Sequence, residues 1–370
     1  MRADYIMVGG FLGAGKTTAL LKLAEHLTAR GRRVGLITND QSSGLVDTAL
    51  VDSRGYPVQE ITGGCFCCRF NSLTSAAERL TEEAKPDVFL AEPVGSCTDL
   101  RAAVQYPLRR LYGDNYRIAP LSVLVDPLRA LRILGVEPGK MFSPKVLYVY
   151  GKQLEEADII VINKSDLLDS ERRTLLESAL RKSYPDARVY SVSARTGEGL
   201  ERWFAHLGRE ESDARLAPEV DYDIYAEGEA LLGWFNATFH LSSPSPFDGN
   251  LLLLNLANSL RERLALEQPE IAHFKSILTP DEDGGDIGAL NIVGSDRAAE
   301  LSHALQEELT SGELIVNLRA EGDPEFLRSS VVETLADVSA RAGARVETIH
   351  MEHFRPARPS PTYRMATGAG

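Results

Sequence analysis

The sequence predicts an α/β protein: a mostly parallel sheet flanked by helices, followed by a smaller α+β domain. The chain has 370 residues, which is more than one hydrophobic core usually supports. Over about the first 205 residues, short β-rich runs alternate with helical stretches, which is the pattern of a parallel sheet. An acidic stretch then interrupts the pattern before strands and helices resume.

Six apolar runs are predicted as strands of the first sheet: Tyr5–Val8, Val34–Thr38, Val88–Ala91, Ser122–Val125, Ile159–Ile162 and Val189–Ser191. A loop follows each run. Because ligands of such sheets bind outside the carboxyl ends of the strands, we expect functional residues in these loops.

The predicted organisation is a first domain at 1–207, an acidic linker at 208–229, a second domain at 230–354 and a flexible tail at 355–370. The second domain is expected to be a ferredoxin-like βαββαβ unit with one extra helix and strand. Its predicted strands are Trp234–Leu241, Ile271–Leu278, Ala289–Val293, Leu314–Leu318 and Val346–Met351. Its predicted helices are Leu251–Leu266, Arg297–Leu309 and Phe326–Ala340.

Charge and hydropathy exclude several classes of protein. The net charge of −13 disfavours a nucleic-acid binder, because such affinity comes largely from Lys and Arg. No apolar stretch reaches the roughly 18 residues needed for a membrane span, and the N-terminus lacks the pattern of a signal peptide. A cytoplasmic location is expected. Three of the four cysteines lie within Cys65–Cys68, which favours metal binding or redox chemistry over a disulfide framework.

A glycine-rich loop follows the first predicted strand. Gly10–Thr17 matches G-x-x-x-x-G-K-[ST] between an apolar strand and an amphipathic helix, the arrangement that cradles phosphates. Lys16 is expected to bridge the β- and γ-phosphates, and the Thr17 hydroxyl to ligate Mg²⁺. The other predicted nucleotide contacts in this loop are Gly10, Gly13, Ala14, Gly15 and Thr18.

Acidic residues at two further strand ends complete a predicted Mg²⁺ site. Glu92 ends the third predicted strand and would hold Mg²⁺ through water, while the amide of Gly95 would sense the γ-phosphate. Asn39 and Asp40 end the second strand. They either contribute to the metal or the attacking water, or form a plain turn.

The loop after the fifth predicted strand predicts a preference for guanine. The carboxylate of Asp166 can accept hydrogen bonds from guanine N1–H and N2–H₂, a donor pair that adenine lacks. Asn163 would orient the loop, and the stem of Lys164 would cover the base. After the next strand, Ser193 and Ala194 would present the Ala194 amide to guanine O6.

The cysteine cluster predicts a second metal site. Cys65, Cys67 and Cys68 offer soft thiolate ligands suited to Zn²⁺, Cu(I) or iron–sulfur chemistry. Three protein ligands leave a fourth position open, which suits metal transfer. A redox cluster or buried inert thiols are the alternatives. Cys97 either adds a ligand or packs near this loop as a buried hydrophobe.

These motifs together resemble the CobW-like family of metal-handling P-loop GTPases, which includes zinc metallochaperones, cobalamin-biosynthesis proteins and nitrile-hydratase activators. The resemblance covers about the first 205 residues, and the pairing of a P-loop with Cys-x-Cys-Cys is its specific part. It is carried by Gly9–Thr18, Gly63–Cys68, Glu92, Gly95, Val123–Asp126, Gln153–Asp158 and Asn163–Asp166.

The resemblance implies slow GTP hydrolysis coupled to metal handling. The leading hypothesis is a GTPase metallochaperone that uses GTP/GDP, Mg²⁺ and a cargo ion, Zn²⁺ or else Co²⁺ or Fe²⁺, and delivers it to a client metalloprotein. The alternative is a GTP-gated activator of a corrinoid or other metalloenzyme, with structural or redox-sensing cysteines. Turnover is expected to stay slow until a partner, or a second copy in a homodimer, completes the site.

Overall fold

The chain divides into two units, each built around its own sheet. The structure, a computed structural model, describes residues 2–39, 54–267, 269–282 and 286–367. The described residues up to Gly228, together with those from Arg358 onward, belong to the first unit, and Glu229–Ala357 belongs to the second.

The first unit contains the predicted parallel sheet. Its strand order is β3-β2-β4-β1-β6-β7-β8, and β5 pairs with β1 beside β6. The strands are β1 (Ala3–Gly10), β2 (Val34–Asn39), β3 (Val58–Ile61), β4 (Val88–Glu92), β5 (Tyr116–Ile118), β6 (Ser122–Val125), β7 (Ile159–Ile162) and β8 (Arg188–Ser191). All six predicted strands are confirmed. β3 and β5 were not predicted, because β3 is half polar and β5 has only three residues.

Helices connect these strands. They are α1 (Lys16–Thr28), α2 (Phe70–Ala84), α3 (Tyr106–Tyr112), α4 (Pro127–Ile133), α5 (Pro144–Glu155), α6 (Ser170–Ser183), α7 (Leu200–Arg209) and α8 (Tyr222–Leu231). A short π-helical segment, Arg101–Gln105, leads into α3. All four residues of β7 are buried, as expected when helices cover both faces of a parallel sheet. The loops at the carboxyl ends of the strands carry the polar motifs.

The second unit is an antiparallel six-stranded sheet with the order β12-β11-β10-β13-β9-β14. Its elements are β9 (Leu232–Phe247), α9 (Gly249–Leu264), β10 (Glu270–Pro280), β11 (Gly288–Ile292), β12 (Glu300–His303), β13 (Leu309–Glu321), α10 (Pro324–Arg341) and β14 (Arg345–Phe354). The path β9-α9-β10-β13-α10-β14 is the predicted ferredoxin-like unit. Both helices contribute leucine side chains to one core with these strands.

The addition to this unit differs from the prediction. Instead of one extra helix and strand, the chain between β10 and β13 contains the antiparallel pair β11 and β12, which extends the sheet beyond β10. The helix predicted at Arg297–Leu309 is wrong: Glu300–His303 is β12, and Leu309 begins β13. Burial along β12 alternates residue by residue, and its ladder with β11 overrides the helical propensity of the alanines and leucines nearby.

The acidic stretch predicted as a linker also has a defined structure. The Ser212 amide donates to the carbonyl of Ile118 at 2.8 Å, and Asp213 pairs at 2.8 Å with Arg101, whose side chain is fully buried. The stretch therefore packs on the first unit before α8 begins. Among the residues that the structure describes, no helix has the length and hydropathy to cross a bilayer.

Candidate functional site

The phosphate-binding loop joins β1 to α1 across the predicted residues. β1 ends at Gly10 and α1 begins at Lys16, and the Ala14 amide closes the loop onto the carbonyl of Phe11 at 3.1 Å. Lys16 and Thr17 are buried although both are polar. The first amides of a helix lack intrahelical partners and lie at its positive end. This turn therefore suits a phosphate group.

Two glycines allow neighbouring strands to approach this loop. Gly10 has φ of 129°, and a Cβ there would lie 2.3 Å from the carbonyl oxygen of Leu124 in β6. Gly15 has φ of 85°, and its Cβ would lie 2.5 Å from Nδ2 of Asn163. Only glycine combines these backbone angles with such close contacts. The glycine pattern is thus required by the geometry.

The predicted Mg²⁺ residues lie together beside the loop. The Thr17 hydroxyl donates to Oε1 of Glu92 at 3.1 Å, and Lys16 Nζ lies 3.9 Å from the same oxygen. A hydroxyl and a carboxylate are oxygen ligands that suit Mg²⁺, which usually keeps several waters. A Cβ on Gly95 would lie 3.0 Å from Lys16 Nζ and from the Leu12 amide. The Gly95 backbone therefore borders the phosphate loop, and contact of its amide with the γ-phosphate stays a prediction.

Side chains of the loop after β7 form hydrogen bonds with the backbone of the phosphate loop. Asn163 Nδ2 donates to the carbonyl of Ala14 at 2.9 Å, and Lys164 Nζ donates to that of Gly13 at 2.8 Å. Lys164 also pairs at 3.1 Å with Asp126, which follows β6. The orienting role predicted for Asn163 matches this contact. The ammonium of Lys164 has a further role in holding the loop, which the sequence analysis did not identify.

Asp166 carries the charge expected of a guanine-binding carboxylate. Burial raises the pKa of this carboxyl, but a hydrogen bond from Ser193 and the charge of Arg195 outweigh burial, so the pKa lies below its ordinary value. Arg195 forms an ion pair with it. The Ala194 amide donates to Oδ1 of Asn163 at 3.0 Å, whereas the sequence analysis predicted that it would face guanine O6. The two loops after β7 and β8 are thereby joined.

One supporting residue was missed. Arg129, in the first turn of α4, donates to the carbonyl of Leu12 at 2.5 Å. Its guanidinium lies 5.4 Å from the ring centre of Phe11 and 5.2 Å from that of Phe142, distances typical of cation–π contacts. The helix start at Asp126-Pro127 is readable from the sequence, but its contact with the phosphate loop depends on the tertiary fold.

The three cysteines of the motif converge as predicted. Their Sγ atoms are separated by 2.7 Å (Cys65 to Cys67), 3.3 Å (Cys65 to Cys68) and 3.7 Å (Cys67 to Cys68). Thiolates that share one tetrahedral zinc at about 2.3 Å lie about 3.8 Å apart. The cluster is the only group of three or more potential ligands found among the described residues. Its sulfurs are close enough to bind one transition-metal ion.

The hydrogen bonds within the cluster favour one thiolate. Contacts from the thiols of Cys67 and Cys68, and further from Cys97, hold the pKa of Cys65 well below its usual range. The shared hydrogen bonds and burial raise the pKa of Cys67. A thiolate is the form that binds metals. Of the three thiols, Cys65 is therefore the one that loses its proton most readily.

Asn39 builds the cysteine loop rather than a plain turn. Its Nδ2 donates to the carbonyls of Ile61 at 2.9 Å and Gly64 at 2.8 Å, and its Oδ1 accepts from the Phe66 amide at 2.8 Å. Three hydrogen bonds from one buried side chain thus fix the backbone around the thiols. Asp40, the predicted neighbour, lies outside the described residues. Thr18 is exposed in the first turn of α1.

The segment Arg358–Thr367, here called the C-terminal strap, covers the cluster. The Ser360 amide donates to Sγ of Cys68 at 3.1 Å, and the Thr362 amide donates to the carbonyl of Cys67 at 2.9 Å. Further along, Arg364 pairs at 2.8 Å with the buried carboxylate of Asp99. The sequence analysis predicted a flexible tail here. These contacts explain the difference, because they satisfy the backbone and a buried charge.

The first unit is therefore a P-loop nucleotide-binding domain that also carries a thiol cluster, whose loop is held by Asn39 at the end of β2. Comparison with known proteins assigns it more closely. Residues 4–191 match the family model described as "CobW/HypB/UreG, nucleotide-binding domain". Because the match covers just over half of the chain, this chain belongs to the CobW/HypB/UreG family.

Relatives within and near this family differ in their named roles. The zinc chaperone YeiR of Escherichia coli (strain K12) is 32% identical over 175 residues, 46% of this chain and 49% of YeiR. The hydrogenase maturation factor HypB of Azotobacter chroococcum mcd 1 is 29% identical over 222 residues, 59% of this chain and 63% of HypB. The chain thus spans roughly half to three fifths of these relatives. The structure of Zn(II)-bound YjiA GTPase from E. coli aligns with 90% of this chain and 99% of its own, at 17% identity and a TM-score of 0.36.

Proposed function

We propose that this protein is a GTP-hydrolysing metallochaperone that couples the nucleotide cycle to binding and delivery of a transition metal, most specifically zinc, to a client protein. The observation that carries the proposal is that the residue holding the cysteine loop and a residue of the predicted Mg²⁺ site end neighbouring parallel strands. Asn39, at the end of β2, holds the cysteine loop, while Glu92, at the end of the adjacent β4, contacts Thr17. Both residues lie at the carboxyl ends of neighbouring strands of the parallel sheet.

The chain's own residues account for nucleotide recognition. The phosphate loop and Lys16 bind the phosphates, while the carboxylate of Asp166 accepts hydrogen bonds from guanine. The Thr17 hydroxyl would ligate Mg²⁺ directly and Glu92 would hold it through water, and the ion would neutralise charge on the phosphates during transfer to water. None of the residues that the structure describes is assigned to position the attacking water. Slow intrinsic turnover is what the family resemblance implies.

Metal handling follows if the loops near the γ-phosphate have two arrangements. A nucleotide shifts such an equilibrium only through differential affinity for the two states. The GTP form must therefore bind zinc more tightly than the GDP form, and hydrolysis would weaken the site and release the ion to the client. The zinc chaperone relatives support zinc as the cargo.

Calorimetry on the intact protein tests both the nucleotide preference and the nucleotide-dependent zinc binding. We expect GTP to bind far more tightly than ATP and one zinc ion to bind per chain, more tightly with a non-hydrolysable GTP analogue than with GDP. Lys16→Ala should abolish GTP binding and leave zinc binding in place. The triple variant Cys65→Ser/Cys67→Ser/Cys68→Ser should abolish zinc binding and leave GTP binding in place. Equal zinc affinity in the two nucleotide states would contradict the chaperone proposal.

The same triple variant separates the chaperone from the GTP-gated activator. In a chaperone, the substitutions remove both metal stoichiometry and any zinc stimulation of GTP hydrolysis. If zinc never stimulates hydrolysis in the unmodified protein and the triple variant keeps its full GTP turnover and nucleotide affinity, the cysteines are structural and the activator is favoured.

A further inference from the structure

The C-terminal strap runs from the cysteine loop to the loop after β4. It contacts the cysteine loop through Ser360 and Asp99 through Arg364. Pro359 and Pro361 flank Ser360. Proline fixes its own φ, and it favours extended backbone in the residue before it. The part of the strap over the thiols is therefore stiff, so it can cover or uncover them as one piece.

Uncharged groups form the contacts of the strap with the cysteine loop. Besides the two amides described above, the Thr362 hydroxyl donates to the carbonyl of Cys68 at 3.1 Å. The ring of Tyr363 packs edge-on against that of Phe70 at the start of α2, with 5.2 Å between the ring centres. Thr362 and Tyr363 are nevertheless exposed. Because water can replace such hydrogen bonds at a small net cost, these contacts alone hold the strap weakly.

The charged anchor of the strap lies further along the chain. Arg364 Nε donates to Oδ2 of Asp99 at 2.8 Å, and the Tyr222 hydroxyl donates to the same oxygen at 2.6 Å. The side chain of Asp99 is 1% exposed, whereas that of Arg364 is 34% exposed. Loss of this cation would leave a buried carboxylate without its charge partner, which is strongly unfavourable. The ion pair therefore holds the strap more firmly than the contacts over the thiols do.

Asp99 belongs to a loop that also borders the phosphate loop. It lies four residues after Gly95, whose backbone is close to Lys16 Nζ. Between these two positions, Gln153 of α5 donates its Nε2 to the carbonyls of Gly95 at 2.9 Å and of Cys97 at 2.8 Å. Asp99 itself has a left-handed φ of 65°, which is uncommon for a residue with a side chain. A shift at the phosphate end of this short loop would therefore move the carboxylate that binds the strap.

We propose that the C-terminal strap is a lid of the thiol cluster, that the Asp99–Arg364 ion pair holds it closed, and that the loop after β4 makes closure depend on the bound nucleotide. This inference rests on the proposed function, because it names the element that regulates access to the same metal site. With GTP bound, the loop keeps Asp99 in place and the strap covers the thiols. After hydrolysis the loop shifts, the ion pair weakens and the strap uncovers the thiols for the client. Such coupling requires the two nucleotides to differ in affinity for the closed form.

Hydrogen–deuterium exchange on the intact, metal-free protein tests the lid without any variant. The amides of Ser360, Thr362 and Met365 all donate hydrogen bonds in the closed strap, and their exchange reports its opening. Exchange should be slower with a non-hydrolysable GTP analogue than with GDP by about 5-fold or more, the lower end of the usual coupling between two sites. Helix α9 should exchange equally in both states.

Equal exchange of the strap in the two nucleotide states would overturn the lid. Because no metal takes part in this measurement, that failure is distinct from a failure of the proposed function, which equal zinc affinity in the two states would show.

Variants of the anchor give an independent test of the ion pair. Arg364→Gln removes the charge, so the strap should exchange rapidly with either nucleotide, whereas Arg364→Lys keeps the charge and should retain most of the difference. Arg358→Gln, in the same segment but paired with the 75% exposed Asp223, is the matched control and should behave as the unmodified protein does. Titration calorimetry should show unchanged GTP affinity in all three variants, which verifies that the domain is folded. Full nucleotide dependence in Arg364→Gln would overturn the role of the ion pair.

Discussion

The predicted selection of guanine depends on a single side chain, the carboxylate of Asp166. Asp166→Asn replaces one acceptor with a donor, which opposes guanine N2–H₂ but complements the C2 carbonyl of xanthine. We expect GTP affinity to fall by about 100-fold or more and xanthosine triphosphate affinity to rise. Titration calorimetry measures both. Asp186→Asn, at an exposed position, is the control; unchanged GTP affinity in Asp166→Asn would refute the assignment.

Asn39 allows a second test, because its amide group donates twice and accepts once. Asn39→Asp keeps the acceptor for the Phe66 amide but places an oxygen against the carbonyls of Ile61 and Gly64. We expect zinc affinity to fall about 10–100-fold, the usual effect of losing a group that orients a ligand. Competition with a chelating dye measures it. The exposed Asn71→Asp makes the same chemical change on α2 and should have no effect.

Most candidate nucleotide-binding residues could be named from the sequence, but few of the residues that hold them in place could. Lys16, Thr17 and Asn163 were predictable because local spacing places each one in its loop. Arg129 and the second role of Lys164 were not, because both depend on contacts across more than a hundred residues. Asn39 was recognised as functional, yet its hydrogen bonds to the cysteine loop arise only where β2 and β3 pair.

The ion pair of the C-terminal strap with Asp99 leads to a prediction about access to Cys68. Asp99 has a 1% exposed side chain and pairs with Arg364, and removing one partner of a buried pair is strongly destabilising. Arg364→Met should therefore release the strap and speed alkylation of Cys68 in metal-free protein by about 10-fold or more.

Mass spectrometry of peptides after timed iodoacetamide treatment measures this rate. The matched control is Arg358→Met, in the same segment, whose partner Asp223 is 75% exposed. Exposed pairs contribute little to stability, so this variant should react as the unmodified protein does. Equal rates in both variants would show that the strap does not limit access.

Elements with strong periodicity or unbroken burial were predictable, and short or edge elements were not. β7 is four consecutive apolar residues, whereas β12 has a single leucine and sits at the edge of its sheet. A helix was predicted over β12 because local propensity was the only signal available there. The ladder with β11 decides its structure.

The stability of the whole protein should depend on the protonation of Glu156. Burial raises the pKa of this carboxyl from about 4.5 to about 8, against the opposing effect of its hydrogen bond from the Arg101 amide. Between these values the folded protein holds a proton that the unfolded chain has lost. The free energy of unfolding must therefore fall as pH rises through this window.

Glu156→Gln removes this titration and can still accept from the Arg101 amide. We expect the variant to gain stability relative to the unmodified protein as pH rises from 5 to 8, by up to a few kcal/mol. Urea unfolding at several pH values measures the difference. A constant difference across the range would contradict the prediction.

Separate cores lead to a prediction about the second unit. Leu253 is fully buried in a core cluster formed only by residues of that unit. Leu253→Ala should reduce the stability of the unit by about 2–5 kcal/mol while GTP affinity stays unchanged. The chain has two tryptophans, so in a Trp203→Phe background Trp234 fluorescence reports on the second unit alone. Leu251→Ala, at a 54% exposed position of α9, is the control.

During translation the C-terminal strap is made long after the cysteines that it covers. Thr362 contacts Cys68 across 294 residues of sequence, so the ribosome must make most of the chain before the cover exists. At about 5–20 residues per second, this interval lasts roughly 15–60 s. Until the C-terminal strap is made, it does not cover the cysteines of the nascent chain, and a metal ion can reach them.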